Sequence, residues 1–101
     1  MSLSLIVDIA TNDTEVLSAP GSVLGWEVIT ALSAHIVQIK DGGTSGTAKL
    51  EIPASTAAGT FRDLSFNDDG VAFDTTIHVD PNDVATGRVI IYYKRLPGRK
   101  R

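Results

Sequence analysis

The stretch NDDGVAFDTTIHVDPND, residues 67–83, places five aspartates and a histidine within seventeen residues. Carboxylates at that density can bind calcium, and a carboxylate beside an imidazole can move protons, so chemistry is sought here first. Laid against the calcium-loop spacing D-x-[DN]-x-[DN]-G-x5-E with Gly70 as its glycine, Asn67 and Asp69 fill the two middle ligand positions. The first ligand position falls on Ser65 and the bidentate twelfth on Thr76, so both charged anchors are missing. The stretch reads instead as a hairpin turn whose Asp-Gly pair supplies positive φ. Asp80, Asn82 and Asp83 are close enough in sequence to share a cation, but Asp-Pro-Asn-Asp is itself a strong turn sequence.

The remaining candidates are weaker. Alternation places His78 opposite Ile77 and Val79, facing solvent or a subunit interface, and puts His35 on the Val37 and Ile39 face as a hydrogen-bonded rim or core residue. Gly-Gly-Thr-Ser-Gly at 42–46 has no lysine after its last glycine, as a phosphate loop needs, and Ser45 misses the G-x-S-x-G spacing by one residue. There is no cysteine, which removes disulfides, thiolate metal sites and a cysteine nucleophile together. No catalytic residue, metal or cofactor is assigned, and a non-enzymatic protein is expected.

The elements that carry these residues are strands. Period-two patterns put Leu3, Leu5, Val7 and Ile9 on one face and Ser4, Ile6 and Asp8 on the other. The same pattern groups Leu24, Trp26 and Val28; Ala48, Leu50 and Ile52; and Val89, Ile91 and Tyr93, the last set opposing Arg88, Ile90, Tyr92 and Lys94. Turn signals separate the runs at Ala19-Pro20-Gly21, Asp41-Gly42-Gly43, Asp68-Asp69-Gly70 and Asp80-Pro81-Asn82-Asp83. Eight strands are predicted, near 3–9, 15–18, 22–30, 35–40, 46–53, 60–66, 71–79 and 87–95, with no helical stripe. A chain of 101 residues suits one domain with one core. The fold class expected is all-β: a compact antiparallel β-sandwich, jelly-roll-like, over residues 1–95, with a basic tail at 96–101. No segment reads as a secretory signal or a membrane span, so a soluble, unprocessed chain is expected.

Charge is unevenly placed. Residues 1–93 carry four basic groups against twelve acidic ones, a balance of 4 − 12 = −8, whereas the last eight residues, KRLPGRKR, carry five basic groups and no acid. An acidic body with a basic arm points to an acidic docking surface on a protein, with nucleic acid disfavoured because the body would repel it. The candidate interface residues are Lys94, Arg95, Arg99, Lys100 and Arg101, with Tyr92 as a surface aromatic. Trp26, Phe66 and Phe73 lie in apolar contexts and read as core.

The second half, from Ile52 to Arg95, resembles small virion proteins of tailed bacteriophages. The matching positions are Pro53 and Ala54 at a strand end, Gly59, the turn Gly70-Val71-Ala72-Phe73, the apolar Ile77 and Val79, and the pair Tyr92-Tyr93. Gly25-Trp26 matches the Gly-aromatic pair of the first half, so the resemblance spans residues 20–95. The chain departs from the commoner pattern in having the compact DPNDVATG where a longer insertion precedes the last strand. The resemblance implies a head decoration, or capsid cement, protein: a β-sandwich located in the virion, assembled in the host cytoplasm, that clamps the capsid exterior. It implies a major capsid protein or other virion protein as partner, and a homo-oligomer, dimer or trimer, is expected because weak contacts then add through effective concentration. The alternatives are a phage tail, neck or head-fibre component, and, from another class, a carbohydrate-binding module, which an exposed aromatic row including Trp26 would favour.

Overall fold

The computed structural model describes residues 3–9, 14–43, 45–64, 70–81 and 85–95. Among these are nine strands and no helix: β1 (Leu3–Asp8), β2 (Thr14–Leu17), β3 (Gly21–Thr30), β4 (Val37–Asp41), β5 (Thr47–Ile52), β6 (Phe61–Asp63), β7 (Val71–Phe73), β8 (Ile77–Pro81) and β9 (Arg88–Arg95). They form two antiparallel sheets, one ordered β1-β9-β3-β6 with β7 also on β3, the other ordered β2-β8-β4-β5. The pairs β1·β9, β2·β8, β3·β6 and β4·β5 are nested, as in one long hairpin that has been rolled up. Most consecutive strands cross from one sheet to the other, with β4–β5 and β6–β7 the exceptions, and the two antiparallel sheets make the β-sandwich that the turn spacing suggested.

Two layers are needed because each sheet has one apolar face to bury. Val7, Val23, Val28, Val89 and Ile91 point inward from the first sheet, and Val37, Ile39, Ile52, Ile77 and Val79 from the second. Phe73 is fully buried at the end of β7. The branched Val and Ile side chains that dominate the core have few rotamers to lose and pack well on a pleated surface, so the same residues form the strands and fill the space between them.

Three expectations are corrected. The strand expected at 71–79 is two strands in different sheets, interrupted at Asp74–Thr76 where the chain crosses the sandwich. The strand expected at 60–66 is confined to Phe61–Asp63 among the described residues, with Leu64 buried after it. In β3 the inward set is Val23, Trp26 and Val28 rather than Leu24, Trp26 and Val28, because the register with β9 slips between Val23 and Gly25. The extra residue, Leu24, is only half-buried, and its carbonyl accepts the Leu64 N–H at 2.8 Å. A bulge shifts the phase of alternation, which a strict period-two reading cannot anticipate.

One end of the sandwich is tied by Ser33. Its N–H donates to the Thr86 carbonyl, its carbonyl accepts from His35 and Ser55, and its Oγ accepts from the Thr86 N–H at 2.9 Å. His35 Nδ1 lies 3.3 Å from the same Oγ, so His35 is a half-buried, hydrogen-bonded rim residue in the loop before β4.

Candidate interaction surface

The described part of the aspartate-rich stretch, residues 70–81, belongs to the framework. Asp41, at the end of β4, accepts the backbone N–H groups of Asp74 and Thr75 at 2.8 Å each and of Thr76 at 3.4 Å. The Gly42 N–H donates to Thr76 Oγ1 at 3.2 Å, closing the same junction from the other side. Burial works to raise the Asp41 pKa, but the three N–H donors, helped by the charge of Lys49, outweigh it and hold the carboxyl below its ordinary value. The β7–β8 crossing is thus held by a carboxylate that sequence reading assigned only to a turn. Asp80 pairs with Lys40 at 2.7 Å on the outside of the second sheet. No group of three or more His, Asp or Glu residues that could hold a metal ion occurs among the described residues. Asn67, Asp68, Asp69, Asn82 and Asp83 lie outside them.

The two outer faces of the sandwich differ in chemistry. The second sheet presents Glu15, Gln38, Lys40, Glu51, His78 and Asp80 outward, with His78 opposite both Glu15 and Lys40 and with Gln38 Nε2 donating to Glu51 Oε2 at 3.0 Å. That face is mostly polar, with Ala48 opposite Lys40 and a single large apolar side chain, Ile36 (46% exposed), at its rim beside Gln38 and Asp80. The first sheet presents a row that crosses β1, β9, β3 and β6 in register: Ile6 opposite Ile90, Ile90 opposite Glu27, and Glu27 opposite Phe61. Ile6 and Phe61 are 58% and 56% exposed.

Tyr92 stands beside this row on β9. Its hydroxyl donates to Glu27 Oε1 at 3.1 Å, and its ring meets Phe61 edge to face, with centroids 6.1 Å apart and planes at 75°. Burial, then the hydrogen bond and charge of Glu27, raise the Tyr92 pKa above its ordinary value, so the phenol stays protonated and donating at neutral pH. The contact fixes the orientation of both rings and satisfies the one carboxylate in an otherwise apolar row. Tyr93 turns the other way and packs against the core.

Beside Phe61 the edges of β5 and β6 leave a cleft of about 380 Å³ between the sheets, bordered by Leu50, Pro53, Phe61, Arg62 and Leu64. Trp26 also lines it but is 6% exposed, so its ring belongs to the core wall and not to an exposed aromatic row.

Of the residues expected at an interface, Tyr92 lies in this surface. Lys94 and Arg95 end β9 opposite Ser22 and Gly21, and Arg99, Lys100 and Arg101 fall outside the described residues. The sequence reading missed Ile6, Ile90, Phe61 and Glu27. Ile6 and Ile90 carried a legible signal, since each is an aliphatic residue on the polar side of an alternating strand. Phe61 and Glu27 join them only through strand pairing. The chain matches no protein-family model, no curated protein and no solved structure, so its surface chemistry must carry the functional argument.

Proposed function

We propose that the chain is a non-enzymatic structural protein of the phage virion, of the head-decoration kind that its sequence resembles, and that it docks through the outer face of the β1-β9-β3-β6 sheet. The observation that carries this reading is the asymmetry of the two outer faces: one mostly polar with the lone Ile36 at its rim, the other crossed by the contiguous row of Ile6, Ile90, Phe61 and Tyr92. A contiguous apolar patch rimmed by polar groups is what protein contact uses, and solvent alone does not maintain it. Aromatic anchors held rigid before contact lose little entropy on docking. The basic end of β9 continues from this face toward the tail, which suits a partner with an acidic rim. The edge-to-face setting of Phe61 and Tyr92 offers no common plane for a sugar ring, which favours a protein partner over a glycan.

Co-sedimentation with expanded, undecorated capsids tests the reading. The wild-type chain binds; Phe61→Lys, which keeps the thermal midpoint because the side chain is exposed, does not. Deleting residues 97–101 leaves the fold intact and weakens attachment more at low salt than at high salt, as screened charges do. A chain that never co-sediments, beside a matched decoration protein that does, overturns the proposal.

A further inference from the structure

The four lateral edges of the sandwich are unequally protected. Strand edges expose unpaired N–H and C=O groups, and natural sheets blunt them with short strands, bulges, lysine or proline. β2 has four residues and a register slip between Glu15 and Leu17. β5 has a slip opposite Ile39 and Lys40, with exposed Lys49 and Glu51. β6 and β7 have three residues each, and β6 carries Arg62 and Asp63. Among the described residues β1 has the fewest of these devices: six residues pair with β9 without a break, the strand contains no lysine, arginine or proline, its one charge is Asp8 at its end, and Leu3 and Ile6 are 37% and 58% exposed.

We propose that two copies of this chain pair antiparallel through β1, edge to edge, so that the β1-β9-β3-β6 sheet continues across a two-fold axis. The proposal rests on the assembly reading above and gives it an interface. Residues directly opposite one another must point to the same side of a sheet, which leaves few registers. Centring the axis on Ile6 sets Ile6 against its own copy and Ser4 against Asp8, pairing apolar with apolar and a hydroxyl donor with a carboxylate. Moving the centre to Asp8 sets two carboxylates together, and moving it to Val7 sets Ile6 against Asp8. Only the Ile6-centred register also continues the apolar row, so that Phe61, Glu27, Ile90 and Ile6 run on into the same residues of the second copy. The docking surface is then doubled without a new fold.

A contact along six residues is small beside the roughly 1,200–2,000 Å² of a stable complex, so the dimer is concentration-dependent and is favoured where copies crowd together. The chain has no cysteine, so a single introduced thiol reports only on the contact at its position. Directly opposed strand residues have Cα atoms about 4.5–5.5 Å apart, which fits a disulfide. Oxidised at high protein concentration, Ile6→Cys forms a covalent dimer, whereas Phe61→Cys, equally exposed on the opposite edge, does not. A mixture of Ser4→Cys and Asp8→Cys cross-links as a mixed dimer in preference to either self-dimer. In sedimentation, Ile6→Lys raises the wild-type dissociation constant by about tenfold or more, since it opposes two like charges. Equal cross-linking of Ile6→Cys and Phe61→Cys, or a wild-type chain that stays monomeric at every concentration while Ile6→Lys abolishes capsid binding, overturns the dimer. A chain that decorates capsids without cross-linking refutes the dimer alone, and a cross-linked dimer that never binds capsids refutes the decoration reading alone.

Discussion

Replacing Asp41 by alanine tests whether the aspartate-rich stretch is held by a carboxylate. Asp41 accepts two N–H groups at 2.8 Å and a third at 3.4 Å, from three consecutive residues of the β7–β8 crossing. Each of the two short, charge-assisted bonds is worth about 1 kcal/mol net once water is allowed to replace it, and the long one adds little. Asp41→Ala is therefore expected to cost about 2 kcal/mol, which for a chain of this size lowers the thermal midpoint by roughly 10 °C. Asp80→Ala, which removes the Lys40 ion pair near the surface, should cost less than about 1 kcal/mol. The pH dependence fixes the cause. The Asp41 pKa is depressed in the folded chain, so its contribution is fully present above the ordinary value of 3.8 and is lost as pH falls below that value through the folded one. In urea titrations the gap between wild type and Asp41→Ala should be constant above pH 5 and narrow as acid protonates the carboxyl. A variant as stable as wild type at pH 7, or a gap that persists to the acid limit of folding, would refute the account.

Three further outcomes are expected. Gly25→Ala places a Cβ 2.5 Å from the Arg62 carbonyl oxygen, so the β3–β6 pairing must open; a loss of about 1–3 kcal/mol in denaturant titration is expected, and an unchanged midpoint would mean that β6 is not seated there. The phenolate absorbance of Tyr92, assigned by difference with Tyr92→Phe, should titrate above 10.0, and Glu27→Gln should bring it down because the repelling charge is gone; no response to Glu27→Gln would break the assigned contact. A chelator should leave the thermal midpoint where it is, whereas a fall that calcium reverses would show that the turn aspartates hold an ion.

The two end strands were the most legible part of the fold. LSLIVD and RVIIYYKR alternate without interruption, and their inward sets, Val7 with Val89 and Leu5 with Ile91, are cross-strand partners. β3 was legible as a strand but not in phase, because the bulge at Leu24 leaves no composition signal. The break at Asp74–Thr76 was hidden for a different reason. DTT reads as part of a β-prone run, and what stops the strand is Asp41, 33 residues earlier, whose carboxylate takes up backbone donors that a ladder would otherwise use. Non-local satisfaction of that kind cannot be read along the chain. The surface row falls between these cases, since Ile6 and Ile90 were visible as aliphatic residues on a polar face, while Phe61 and Glu27 were brought to them by pairing alone.

β9 joins the separate duties of the molecule. Its inward residues, Val89 and Ile91, are fully buried, its outward residues Ile90 and Tyr92 form the middle of the exposed row, and its end carries Lys94 and Arg95 into the basic segment. Period two keeps these duties on opposite faces of one strand, so the core residues set stability while the outer ones remain available for contact. The second sheet offsets the cost of an apolar outer face by turning mostly polar groups to water. An exposed row of this kind is a liability in a free monomer and useful only when covered, and it runs straight to β1, the least protected lateral edge among the described residues. In the proposed assembly, face and edge serve different neighbours: a second copy at β1 would continue the β1-β9-β3-β6 sheet, and the lengthened outer row would be left for another partner to cover.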